Sequence, residues 1–187
     1  MTTTPLLVAY QGEPGAYSDL AVRQHFGDAA SGVPFRTFPA AVEALCNGTC
    51  SRLLLPVENA IAGPVRVALD ALAPVEHQLT VEAEHRLAIE LCLLGVPGAM
   101  LATVRTVKSH PVALAQCRIF AARHPWFETI GHEDTAGAAR EVAEAGDRSV
   151  AAIASVMAAE RYRLEVLARG VQDVPHNWTR FLVLRRA

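Results

Sequence analysis

Lysine is almost absent from this chain. Of the 17 basic residues only Lys108 is lysine, and the rest are arginine. So little lysine argues against Schiff-base chemistry and leaves guanidinium groups as the readers of anions. An excess of one charge is missing too, since the formal net charge is −2. That leaves no electrostatic footprint for nucleic acid or for an anionic membrane. Cys46, Cys50, Cys92 and Cys117 form no C-x-x-C pair and have no histidine at zinc spacing, so no metal site is expected. They read as reduced, mostly buried thiols of a cytoplasmic protein. Met1 to Pro5 lacks the basic-then-apolar pattern of a secretion leader. The apolar stretch 87–104 is broken by Glu90, Gly95, Pro97 and Gly98, which excludes a membrane span there. No P-loop, G-x-G-x-x-G, nucleophile elbow or H-x-x-x-H pair occurs.

What is present is a core-forming chain of 187 residues, 51% hydrophobic and 19% charged. That suits one domain or two small lobes. Residues 6–10 read as a strand, followed by a glycine turn and a helix over 16–26. A strand over 33–37, a helix from Pro39 to Cys46, a strand over 52–57, a loop over 58–63 and a helix over 64–72 follow. This alternation predicts a mostly parallel sheet covered by helices. Residues 79–94 read as one or two extended strands passing from one lobe to the other. Beyond them the spacing predicts strands over 103–107, 127–131, 149–153 and 164–167. Helices are predicted over 111–123, over 135–145 with Asp134 as N-cap, and over 154–162, before a closing strand over 180–184. The expected fold class is α/β: two α/β lobes with a cleft between them. The first lobe takes 1–80 plus 174–187, and the second takes 81–173.

Ligands of such sheets sit at loops beyond the carboxyl ends of strands. Four stretches qualify. Gln11 to Ser18 is a glycine turn opening a helix. It reads as a tight β–α turn or as a site where amides of Gly15, Ala16, Tyr17 and Ser18 hold a carboxylate or phosphate. Glu58 and Asn59 stand at a strand's end, where they meet a ligand or brace the loop. Ser109 and His110 open a helix; Ser109 reads first as an N-cap, and His110 binds an anion or only packs. Thr179 and Arg180 begin the closing strand, where a β-branched residue is ordinary.

Together these stretches resemble the catalytic domain of the prephenate dehydratase family. The segments that carry the resemblance are VAYQGEPGAYS (8–18), LLPVENAIAGPV (54–65), VKSHPVALAQCRIF (107–120), AAIASVMAAERYRLEVLARGVQD (151–173) and NWTRFLVL (177–184). The resemblance implies a two-lobed fold like that of periplasmic-type (type II) binding proteins. It implies conversion of prephenate to phenylpyruvate with loss of water and carbon dioxide, in phenylalanine biosynthesis, without metal or organic cofactor. It makes Thr179 the catalytic residue, with Glu58 and Asn59 beside it. It places Gly15, Ala16, Tyr17, Ser18, Ala60, Ser109, His110, Arg180 and Phe181 around the substrate. The implied partner is the small molecule prephenate, with no nucleic acid and no membrane, and a homodimer is the assembly envisaged.

The implied chemistry fits these residue types. Prephenate loses a ring hydroxyl and a carboxylate as its ring becomes aromatic, so the protein need only assist the leaving oxygen and hold anions. A threonine hydroxyl is too weakly acidic to serve as a tuned general acid. Thr179 is therefore expected to stabilise the departing oxygen by a hydrogen bond. Arg180 is expected to hold a carboxylate bidentately, provided that it points to the same side. Three positions depart from the family pattern. Ala60 stands where serine is usual, Val112 replaces a common glutamine, and Ile89 to Cys92 lacks an expected histidine. The chain stops at Ala187, where many relatives continue into an ACT domain. Rival readings are an arogenate dehydratase, a prephenate decarboxylase and a non-catalytic binding module of the same fold.

Overall fold

A computed structural model describes residues 6–187; Met1 to Pro5, read above for a leader, lie outside the described residues. Apolar Leu6–Gln11 forms β1. Gly12 and Gly15 then turn the chain at φ 120° and 93°, values that side chains with a Cβ rarely adopt. Next come α1 (Tyr17–Phe26), β2 (Ala30–Phe35), α2 (Phe38–Cys46) and β3 (Arg52–Asn59). They are followed by the short β4 (Gly63–Pro64), α3 (Arg66–Leu72) and β5 (Leu79–Ala88). Then follow β6 (Cys92–Gly95), β7 (Thr106–Ser109), α4 (Pro111–Ala115), α5 (Arg118–Ala122) and β8 (Glu128–Gly131). The chain ends with α6 (Thr135–Ala145), β9 (Val150–Ala154), α7 (Val156–Tyr162), β10 (Glu165–Ala168) and β11 (Trp178–Arg186).

The protein is mixed α/β with two sheets. One unit holds the chain up to Glu13, Tyr17–Ala88 and Asn177–Ala187; the other holds Pro14–Ala16 and Ile89–His176. The passage at 88–89 follows the end of β5, which pairs with β11 from Leu79 to Ala88. The sequence reading puts that passage at 80–81, inside this strand.

In the first unit the strand order is β2-β1-β3-β11-β5, with β4 attached to β3. The β2-β1-β3 part is parallel and the β3-β11-β5 part antiparallel. The sheet is thus mixed, not mostly parallel. The chain returns from the second unit to insert β11 between strands already laid down, and it runs against both. Leu53 and Leu55 of β3 and Leu184 of β11 form a core with Ala41, Val42 and Leu45 of α2 and with Ala68 and Leu72 of α3. In the second unit the order is β10-β6-β9-β7-β8, again part parallel and part antiparallel. Small side chains let α6 and α7 approach this sheet closely, through Ala138, Ala139, Ala152, Ala154, Ala158 and Ala159.

Two local differences have physical causes. The expected helix 111–123 is two helices, broken at Gln116–Cys117. The Asp173 carboxylate accepts from the backbone N–H of Arg118 and Ile119 at 3.1 and 2.8 Å, so a new helix start is capped there. The Asp173 N–H donates to the Gln116 carbonyl at 2.6 Å. The expected loop over 58–63 is a hairpin, because β3 runs on through Asn59 and pairs with β4. The helix over 135–145 keeps its expected bounds. Asp134 accepts from Gly137 N at 2.6 Å, and Gly146 closes the helix at φ 67°.

The Ser155 hydroxyl does two things in the second unit. It accepts from Ala158 N at 3.1 Å, which caps α7, and donates to the Gly15 carbonyl at 2.8 Å. Tyr162 Oη donates to the Pro14 carbonyl at 2.6 Å, so α7 holds the Pro14–Ala16 turn. Ser155→Ala removes the cap and strips Gly15 of an acceptor's partner, and should cost about 2 kcal/mol of stability in urea unfolding.

In the first unit His85 of β5 meets His25 of α1 with ring centroids 5.5 Å apart. His85 Nε2 is buried and has no hydrogen-bond partner among the described residues. Burial, and secondarily the charge of His25, hold the His85 pKa below its ordinary 6.5. A depressed histidine binds its proton more weakly when folded. Its contribution to stability is therefore full above pH 6.5 and is lost as the pH falls through the lower folded value. Unfolding curves should show stability falling as the pH drops below 6.5, and His85→Phe should flatten the fall.

Candidate active site

β11 positions Thr179. It is hydrogen-bonded to β3 on one edge and β5 on the other, with Thr179 opposite Asn59 and Leu87. Alternation along the strand puts Thr179, Phe181 and Val183 on one face and Arg180, Leu182 and Leu184 on the other. Thr179 is 9% exposed. Its Oγ1 accepts from Asn59 Nδ2 at 3.0 Å. The orientation of that amide is settled by its other end. Asn59 Oδ1 accepts from the backbone N–H of Ile61 and Ala62 at 3.1 and 3.0 Å, so the nitrogen must face Thr179. With an N–H donated into Oγ1, the hydroxyl's own hydrogen can be directed at another acceptor.

Arg180 faces away from Thr179. Its Nε donates to Glu58 Oε2 at 3.1 Å and an Nη donates to Glu84 Oε1 at 2.9 Å. Its hydrogen bond to Glu58, with support from Glu84, raises its already high pKa. The expected grip of Arg180 on a ligand carboxylate therefore does not share a face with Thr179. Its guanidinium is engaged by two carboxylates of the same unit. Glu58 lies with Arg180, opposite in facing to Asn59, for the same reason of alternation.

The other predicted positions fall as follows. Phe181 is 1% exposed and belongs to the core. The Ala60 N–H donates to the Trp178 carbonyl at 2.9 Å, so that amide already serves the hairpin. Tyr17 and Ser18 form the first turn of α1, and Gly15 and Ala16 are placed in the second unit with the turn that α7 holds. Ser109 also lies in the second unit, fully buried, and its hydroxyl donates to the Ile153 carbonyl at 2.6 Å. It is not the N-cap that the sequence suggests, because α4 starts at Pro111 and the cap position falls on His110. His110 caps α4 instead, with Nδ1 accepting from Val112 N at 3.2 Å.

The structure also brings in Asn177, which the motifs do not single out. It is 3% exposed, and its Oδ1 accepts from Asn59 Nδ2 at 3.0 Å. Its signal in the sequence is a polar residue two positions before Thr179, just ahead of the strand. Three of the cysteines are poor nucleophiles: burial raises the thiol pKa of Cys50 and Cys92 and pushes Cys117 up to about 12. Among the described residues, no group of three or more His, Cys, Asp or Glu side chains gathers as a metal site, and no helix is long and apolar enough to cross a membrane.

The family profile for prephenate dehydratase matches residues 8–187. A bifunctional N-acyl-homoserine lactone acylase/prephenate dehydratase of Komagataeibacter europaeus is 42% identical over 180 residues, covering 96% of this chain and 63% of that protein. Arogenate dehydratase/prephenate dehydratase 1 of Arabidopsis thaliana, a chloroplastic protein, is 39% identical, covering 96% of this chain and 45% of that one. The solved structure of prephenate dehydratase from Arthrobacter aurescens in complex with L-Phe superposes with a TM-score of 0.89 at 29% identity, covering 97% of this chain and 61% of that one. A periplasmic substrate-binding protein of an ABC transporter from Coxiella burnetii, at 11% identity and a TM-score of 0.50 over 97% of this chain and 84% of that one, shares the fold alone. The chain spans about half the length of the curated relatives it matches. It belongs to the prephenate dehydratase family.

Proposed function

We propose that this chain converts prephenate to phenylpyruvate, with loss of water and carbon dioxide, in phenylalanine biosynthesis. The observation that carries the reading is the Thr179–Asn59 hydrogen bond, in which the amide donates and the hydroxyl accepts. Thr179 is the catalytic residue. Its remaining hydrogen is donated to the ring hydroxyl as that oxygen departs and gains negative charge. Donation from Asn59 polarises the O–H and strengthens it as a donor. Asn59 is a positioning residue, and it acts on the substrate through Thr179.

The reaction needs little else from the chain. Loss of the carboxylate as carbon dioxide supplies the electron pair that expels the hydroxyl as hydroxide, which takes a proton from solvent to leave as water, and aromatisation drives both. Glu58 is not the acid, since its carboxylate accepts from Arg180 and faces away from Thr179. The first turn of α1, with the amides of Tyr17 and Ser18, is the element of the first unit suited to a substrate carboxylate. Free cysteines suit a reducing compartment, which supports a cytoplasmic location.

Several relatives carry arogenate dehydratase in their names, so both substrates belong in the test. Mass spectrometry after incubation with prephenate should show phenylpyruvate. Phenylalanine formed from arogenate, with prephenate unchanged, would move the chain to the arogenate activity. Turnover of neither would sink the reading. Thr179→Ala should lower kcat about 100- to 1,000-fold, the loss expected when one donor aimed at developing charge is removed. Its melting temperature should stay close to that of the wild type. Wild-type turnover in that variant would remove Thr179 from the mechanism.

A further inference from the structure

We infer that Asn177 is a positioning residue for Thr179 and acts through the Asn59 amide. The inference rests on the reading of Thr179 as the donor to the departing oxygen.

The geometry is a matter of counting hydrogens. Asn59 Nδ2 lies 3.0 Å from Asn177 Oδ1, 3.1 Å from the Trp178 carbonyl and 3.0 Å from Thr179 Oγ1. An amide nitrogen carries two hydrogens, fixed in the amide plane. Three acceptors therefore compete for two donors. Asn177 Oδ1 anchors one N–H, with the Trp178 carbonyl close by, and the other N–H is left on Thr179. The far end of the same amide is pinned by Ile61 and Ala62. With both ends held, the amide has no freedom to turn away from Thr179. Remove the Asn177 oxygen, and the amide recentres between the Trp178 carbonyl and Thr179. The hydroxyl then loses its alignment. Asn177 is 3% exposed, so water does not take over the lost acceptor at once.

Asn177 touches Asn59 and has no assigned contact with substrate, so its effect should appear in kcat and not in KM. Asn177→Leu, of similar shape, should lower kcat roughly tenfold, the upper end for one hydrogen bond, with KM unchanged. Asn177→Asp keeps an acceptor oxygen and should retain most of kcat. The deciding experiment is a double-mutant cycle with Thr179→Ala. If Asn177 works through Thr179, then Asn177→Leu in the Thr179→Ala background should change kcat by less than about twofold. Equal losses in both backgrounds would show a merely structural role and overturn the inference. So would an Asn177→Asp variant as damaged as Asn177→Leu. If Asn177→Leu fails to fold by circular dichroism, Asn177→Ser, whose hydroxyl falls short of Asn59, replaces it in the same cycle. A wild type that turns over neither prephenate nor arogenate sinks the functional reading and this inference together. An active wild type with additive losses sinks this inference alone.

Discussion

The site depends on one constraint: β11 is an interior strand of its sheet, bonded to a neighbour on each edge. Its backbone cannot twist to bring adjacent side chains to one side. Thr179 and Arg180 must face opposite ways. A bulge in β3 then decides who meets whom. Phe181 pairs with Pro56, yet Arg180 pairs with Glu58 and Thr179 with Asn59, so β3 carries an extra residue at Val57. Without that residue in the bulge, regular pairing would set Val57 against Arg180 and Glu58 against Thr179. A carboxylate there would accept the threonine's hydrogen and consume the donor. The bulge puts an amide in its place, which donates to the oxygen and leaves the hydrogen for other use.

The charges on the opposite face follow from the same register. Arg180 sits between Glu58 and Glu84. Pairs this exposed contribute roughly 0–1 kcal/mol each, so stability does not account for them. One cation between two anions also makes a poor anchor for an anionic ligand. Under the proposed function, the backbone N–H groups at the start of α1 are the better-suited holders of a substrate carboxylate. Those groups carry no counter-charge that must first be displaced.

Much of the fold was legible in the sequence where punctuation is local. Asp134 and Gly146 mark both ends of α6, and its bounds were readable to the residue. Pro39 marks the first turn of α2, but Thr37, read as the end of a strand over 33–37, is its N-cap. What was not legible has remote causes. The break between α4 and α5 is made by Asp173, and the donor of Ser109 is taken by the Ile153 carbonyl. The partner of Arg180 on β5 is 96 residues away. At the site, Thr179 and Asn59 were readable as motif members, but their mutual bond was not. The facing of Arg180 is not legible, because it depends on where β11 begins, and Trp178 already belongs to the strand.

The departure at Ala60 can be weighed on the same terms. The turn after β3 is closed by Asn59 Oδ1, which accepts from Ile61 N and Ala62 N, and by the Ala60 N–H, which donates to the Trp178 carbonyl. None of these bonds uses the side chain at position 60. A serine hydroxyl there would add nothing to the closure of the hairpin, and alanine takes nothing from it. Placement of Asn59, and through it of Thr179, is thus insulated from this substitution.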